Sequence, residues 1–400
     1  MSREIDPTNI FTAAVHSGQA PPMRGANPHV APIVPSVGYT YESMQETDAA
    51  LGGGPRDFIY ARLGGPNQVA FEDAIAALEG AEGALSFSSG MAALHAALLS
   101  VAHAGGHMLV AEGLYGATLR LARWLDANMD ITIHTVDLTD LEATRLLIDE
   151  VEPTALICEV LINPTARVVD LPAIAMMVHA VGGQVVVDNT FATPYLLRPL
   201  ELGADLVVHS ATKFINGHGD VLAGVLAGPP DLCRVAFDHR KLMGAMLGPF
   251  DAWLALRGLR TLPLRMRQAC DSAAQVAAWL KEQRGVSQVL YPGDPDSPDH
   301  GVAKRLFREG TFGAMFAFEL ADADQAKAFA FVEALQLCQP VTSLGELDTL
   351  VAHPASSSQR TLTPEERAAR GVTDGLLRVS VGLEDPADLI ADFEQALRAL

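Results

Sequence analysis

The sequence predicts an α/β fold, with a mainly parallel sheet in a large domain and a smaller C-terminal α/β domain behind it. Three observations predict this. Between residues 67 and 230, short, largely apolar runs alternate with segments of helical period, and runs that apolar suit strands covered on both faces. At 400 residues the chain exceeds one ordinary core. Beyond about residue 250 the texture turns to long helices with scattered strands.

Taken in order, residues 1–62 are rich in Pro and Gly, including Pro21, Pro22, Pro32, Pro35 and Gly52 to Pro55, and lack helical periodicity. They predict an arm with a turn at Gly52 to Gly54. Residues 63–258 form the expected large domain. Phe71, Ile75 and Leu78 mark a helix ending at Gly80, and further helices are expected at 91–102, 140–150 and 171–181. Between them lie the apolar runs His107–Ala111, Ile131–Val136, Ala155–Val160, Gln184–Val187 and Leu206–His209. Residues 259–400 are assigned to the C-terminal domain, closing on a helix that opens at Asp385-Pro386 with Leu389, Phe393 and Leu397 on one face.

Composition narrows the function. Apolar residues make up 49% and charged residues 19%, as in packed globular proteins. A net charge of −20 repels nucleic-acid backbones and anionic lipid. The first residues lack the apolar run of a secretion signal, and no stretch of about 18 apolar residues suggests a membrane span. The 4 cysteines, Cys158, Cys233, Cys270 and Cys338, lie far apart without metal-ligand spacing, and are read as reduced, mostly buried thiols of a cytoplasmic protein. No metal site is expected.

Ligands of parallel sheets gather at the carboxyl ends of the strands. Asp188 closes an apolar strand, where a carboxylate is costly unless it meets a cation. The next such strand runs into Ser210-Ala211-Thr212-Lys213. A buried lysine amine with a lowered pKa attacks aldehydes well, giving a Schiff base, and a carboxylate keeps a pyridine nitrogen protonated. With hydroxyls for a phosphate, this pair describes a pyridoxal phosphate site. Ser88-Ser89-Gly90-Met91 adds a helix start without acidic residues, suited to an anion.

Several segments occur in one order at consistent spacing: Tyr60-Ala61-Arg62, Ser89-Gly90-Met91-Ala92-Ala93, Leu114-Tyr115-Gly116, Val187-Asp188-Asn189-Thr190, Ser210 to Lys213, and Gly375 to Gly382. Together they resemble the cystathionine γ-synthase/γ-lyase family, also called the Cys/Met metabolism family, of pyridoxal 5'-phosphate enzymes. Gly217 to Asp220 and His353 to Ser356 look most like its methionine γ-lyase branch. The resemblance implies the type I PLP-dependent transferase fold, a small amino-acid substrate, and self-association as a homotetramer built from catalytic dimers.

It also implies roles. Lys213 would hold the cofactor and move protons, Asp188 would pair with the ring nitrogen, and Asn163 would bond the ring oxygen. Tyr115 would stack on the ring and donate a proton to the leaving sulfur. Gly90, Met91, Ser210 and Thr212 would bind the phosphate, with Tyr60 and Arg62 reaching a neighbouring subunit's phosphate. Arg378 and Ser343 would receive the substrate carboxylate; between Leu377 and Val379, Arg378 is read as a buried, paired arginine. The expected reaction is γ-elimination from methionine or homocysteine; cystathionine cleavage or γ-replacement on an O-acylhomoserine is the alternative. The chain departs from the family pattern at Gly65-Pro66-Asn67, at Ala117 in place of a reactive cysteine, and at Thr342 in place of a glutamate that meets a distal ammonium. Arg120 matches an arginine that cystathionine enzymes use near the far end of their substrate.

Overall fold

A computed structural model describes residues 9–18, 28–53, 57–360 and 362–400. Among them, seven strands build the larger sheet: β1 (Gly83–Phe87), β2 (His107–Ala111), β3 (Thr132–Val136), β4 (Ala155–Glu159), β5 (Gln184–Asp188), β6 (Leu206–His209) and β7 (Gly224–Gly228). Their order across the sheet is β1-β7-β6-β5-β4-β2-β3. Strands β2 to β6 pair in parallel, whereas β7 runs against both its neighbours. Every residue of β4, β6 and β7 is buried, so helices cover both faces. Their Val, Leu and Ile content reflects that double burial.

The expected helices are present. Pro66–Glu79 packs on β1 and β7 and ends at Gly80 in the left-handed conformation. Gly90–Val101 packs on β6 and β7, and Leu171–Ala180 on β5. The sequence reading did not foresee β1, β7 or the Gly116–Met129 helix.

A second, four-stranded sheet comprises β8 (Val286–Leu290), β9 (Met315–Leu320), β10 (Leu350–Ala352) and β11 (Leu376–Ser380), antiparallel throughout in the order β10-β11-β9-β8. Phe318 anchors its core, with ring centroids 5.6 Å from Phe331 and 5.8 Å from Phe393. The Leu262–Lys281 helix joins the two cores: Met266 and Ala269 sit in the larger, Val276 and Leu280 in the smaller. The final helix, Pro386–Arg398, is capped by Asp385, whose carboxylate accepts the Ala387 N–H at 2.9 Å.

The N-terminal arm is less irregular than expected. It contains helices Ile10–His16 and Met44–Gly52, and Ile10, Ala13 and Ala14 enter the larger core. Gly52 ends the second helix and Gly53 caps it; Pro21, Pro22, Gly54 and Pro55 lie outside the described residues. All the cysteines are free and buried, and burial pushes the Cys158 and Cys270 thiols up to about 12. No helix among the described residues is long and apolar enough to cross a membrane.

Candidate active site

Strands β1, β2, β4, β5 and β6 deliver their carboxyl ends to one cavity of about 250 Å³, lined on another side by Arg378 of the smaller sheet and by Thr342, Leu344 and Ser358 from loops. β1 leads into Ser89, Gly90 and Met91, β2 into Tyr115, and β4 ends at Glu159 with Asn163 just beyond. β5 ends at Asp188, and β6 leads into Ser210, Thr212 and Lys213. Strand β11 contributes Arg378.

The floor near Gly90 is shaped for an anion. Ser89 caps the Gly90–Val101 helix by accepting the Ala92 N–H at 3.2 Å, and the first turn carries no acidic residue. A Cβ on Gly90 would stand 2.8 Å from the Ser210 Cβ and 3.0 Å from its hydroxyl, so only glycine lets the helix start press against that loop. Thr212 is held by a reciprocal pair with Ala223: its hydroxyl donates to the carbonyl at 3.1 Å and accepts the N–H at 3.0 Å. The Ser210 N–H donates to the Thr190 hydroxyl at 2.8 Å, and that hydroxyl donates to Asp188 at 2.5 Å.

Asp188 has no cationic ion-pair partner among the described residues. It accepts only from the Thr190 backbone and hydroxyl. Burial raises its pKa, while the Thr190 hydrogen bonds and His209 oppose the rise. The Lys213 amine donates to the Ser343 hydroxyl at 2.8 Å. Burial, and secondly Arg378, hold that amine below the usual lysine range, which favours the neutral, nucleophilic form. Arg378 is buried, and its guanidinium donates to the Ser343 carbonyl at 2.6 Å. Here the expectation of a paired arginine is corrected. No carboxylate meets it among the described residues, its Nε is unbonded, and burial pulls its pKa down to about 10.

Tyr115 is partly exposed at the cavity mouth, with its backbone N–H donated to a Glu159 oxygen at 2.8 Å. The Asn163 side-chain oxygen is buried without a partner, and its amide nitrogen makes no hydrogen bond in the described chain.

Lys213, Asp188, Tyr115, Asn163, Gly90, Met91, Ser210, Thr212 and Arg378 are thus brought together, with Ser343 bonded to the lysine. Tyr60, Arg62 and Arg120 do not line this cavity. Tyr60 is exposed, Arg62 lies 5.8 Å from its ring centroid and donates to the Lys241 carbonyl at 3.0 Å, and Arg120 is exposed on the Gly116–Met129 helix. Sequence reasoning missed Glu159, Thr190, Phe191, Leu222, Leu344 and Ser358. Glu159 carried the same signal as Asp188, a carboxylate closing an apolar strand. Ser358 and Leu222 reach the cavity through loops and carried none.

These features fit pyridoxal phosphate. The buried carboxylate lacks a cation, the asparagine amide lacks partners, the amine is disposed to be neutral, and a helix start and hydroxyls frame a place for a phosphate. The sequence profile described as Cys/Met metabolism PLP-dependent enzyme matches residues 11–398. An L-methionine gamma-lyase of Fusobacterium nucleatum subsp. polymorphum is 38% identical, with 98% of each chain covered. An O-succinylhomoserine sulfhydrylase of Pseudomonas aeruginosa is also 38% identical, covering 100% of this chain and 98% of its own. Among solved structures, cystathionine gamma synthase from Xanthomonas oryzae pv. oryzae, in complex with aminoacrylate and cysteine, superposes with a TM-score of 0.91 at 36% identity over 98% of both chains.

Proposed function

The chain belongs to the Cys/Met metabolism family of pyridoxal-phosphate-dependent enzymes, and from that premise we propose that it performs γ-elimination on methionine or homocysteine, releasing a thiol, 2-oxobutanoate and ammonia. The observation that carries this reading is the cavity lining. Apart from Lys213, Arg378, Asp188 and Glu159, no charged side chain among the described residues lines it, and Leu94, Phe191, Leu222 and Leu344 supply an apolar wall. A thioether or thiol suits such a wall, whereas a second amino-acid head group would lose its charge partners there.

Bound pyridoxal phosphate supplies an electron sink for the pair left on Cα when its proton departs. The chain supplies the rest. Arg378 and the Ser343 hydroxyl orient the substrate carboxylate. Asp188 would hold the cofactor at its ring nitrogen, favouring the protonated form, and the Asn163 amide would hold it at its ring oxygen. The Lys213 amine would take the Cα proton and then a Cβ proton, whose electron pair forms the Cβ–Cγ double bond as the Cγ–S bond breaks; it would later return a proton to carbon, and one water supplies the keto oxygen as ammonia leaves. The Tyr115 hydroxyl gives a proton to the sulfur as the Cγ–S bond breaks. Tyr60 and Arg62, both away from this chain's cavity, serve the phosphate site of a second copy, within a homotetramer of paired subunits.

The second reading is γ-replacement on an O-acylhomoserine, or cystathionine cleavage. The sulfhydrylase relative, as similar as the lyase, favours it. Incubation with methionine, homocysteine, cystathionine and O-acylhomoserine separates the two by 2-oxobutanoate release. Consumption of the ester only when a thiol is added, with no keto acid from methionine or homocysteine, would remove the elimination reading.

A further inference from the structure

We propose that Glu159 is a positioning residue for the reaction: one buried carboxyl fixes the backbone of both Tyr115 and Asn163 and so sets where the acid and the ring-oxygen donor stand. The inference rests on the active-site reading above and deepens it.

Glu159 is the last residue of β4, and it pairs in the parallel ladder with Asp188, the last residue of β5. Residues paired in register on neighbouring strands project to the same face, so the two acids stand side by side, and both line the cavity. Yet they are bonded differently. Asp188 is engaged by Thr190 alone. Glu159 spreads its oxygens over two loops, one accepting the Tyr115 N–H at 2.8 Å and the other the Asn163 N–H at 3.3 Å.

Among the described residues, neither the Tyr115 N–H nor the Asn163 N–H has another acceptor. Tyr115 is the cap residue of the Gly116–Met129 helix, which has no side-chain cap and no acidic residue in its first turn, so the Glu159 carboxyl holds that helix entrance from beneath. The Asn163 side chain makes no bond that could anchor its own backbone. Releasing the carboxyl therefore leaves both N–H groups without an acceptor and loosens the two side chains beside them, within a loop that the Ile162 N–H still closes onto the Arg167 carbonyl at 2.9 Å.

The carboxyl has no cationic partner among the described residues. Burial, and secondly the neighbouring Asp188, raise its proton affinity well above the usual glutamate range. The two acids are thus bonded for different tasks, Asp188 to Thr190 and Glu159 to the N–H groups of two loops.

The test compares holoenzyme bearing Glu159→Gln, Glu159→Asp, Tyr115→Phe and the Glu159→Gln/Tyr115→Phe pair. The glutamine keeps the size of the side chain but presents an NH2 group to one of the two N–H donors. With normal cofactor stoichiometry, kcat for keto-acid release is expected to fall about tenfold to a hundredfold with KM changed less than about twofold. The visible circular dichroism of the bound cofactor is expected to change as well. Because Glu159 acts partly through Tyr115 and partly through Asn163, adding Glu159→Gln to Tyr115→Phe is expected to cost clearly less than its effect in the parent enzyme, with the remainder set by Asn163. Glu159→Asp, which retains two acceptors, is expected to fall between parent and glutamine, and it carries the test if the glutamine variant does not fold. An unchanged kcat and dichroism, or equal losses in both backgrounds that track a lowered melting temperature, would overturn the proposal. If the parent enzyme released keto acid from none of the substrates, the elimination reading would fail, and the dichroism comparison would still decide the role of Glu159.

Discussion

Replacing Arg378 with methionine is expected to move stability and activity in opposite directions. The guanidinium is 3% exposed and meets carbonyl oxygens but no carboxylate among the described residues. Its pKa falls from 12.5 to about 10 through burial, which corresponds to ~3 kcal/mol spent on keeping the charge in place. Methionine removes that cost and forfeits about 1–2 kcal/mol of hydrogen bonding to the Ser343 carbonyl. The ligand-free protein should therefore melt at the parent temperature or a few degrees above it. A substrate carboxylate bound at Arg378 would recover the ~3 kcal/mol, so its loss should cut kcat/KM by about a hundredfold or more, chiefly through KM. Thermal melting without substrate and steady-state keto-acid release are the paired assays. A melting temperature that fell along with activity, or a KM within about twofold of the parent's, would refute the assignment of Arg378 as an uncompensated cation awaiting an anion.

Two further outcomes are expected. Gly90→Ala would drive a Cβ to 2.8 Å from Ser210, opening the phosphate cradle; pyridoxal phosphate affinity should fall by about tenfold or more, with pyridoxal affinity little changed, as read by cofactor titration of the apoprotein. The His134 pKa is lowered, first by burial and then by His107, with Glu150 and Asp126 opposing. The unfolded chain takes that proton first, so the folded state keeps its full advantage above the usual value of 6.5 and loses it as pH falls below. His134→Gln should accordingly flatten the decline in melting temperature on acidification from pH ~8 to ~5.5; an unchanged slope would remove His134 as a contributor.

How far the sequence could be read depended on whether a signal was local. The apolar runs of β2, β4, β5 and β6 were visible because double burial permits few polar residues, whereas β3, at the sheet edge, buries only Val136. Lys213 and Asp188 stood out for the same reason, as ionisable groups at the ends of such runs. Glu159 did so equally and was passed over. The Met44–Gly52 helix carried a legible start, since Ser43 and Glu46 hold the spacing of a capping box and the Ser43 hydroxyl accepts the Glu46 N–H at 3.1 Å. That helix buries none of its residues, so no apolar stripe drew notice. Strand β7, with a glycine at either end, is placed by close approach: a Cβ on Gly224 would lie 2.1 Å from the Ser89 carbonyl. That contact joins residues far apart in the chain, and no single-segment pattern encodes it. The gathering of Ser358 and Leu344 around the same cavity is likewise a product of packing between the two sheets.

The central claim is that the amine of Lys213 binds the cofactor covalently, above Asp188. Borohydride reduction of the holoenzyme, followed by proteolysis and mass spectrometry, tests it most directly. The account predicts a reduced pyridoxyl phosphate adduct on the peptide containing Lys213, and none on the Lys213→Ala protein. An adduct on another lysine, or covalent yellow colour persisting in Lys213→Ala, would contradict it.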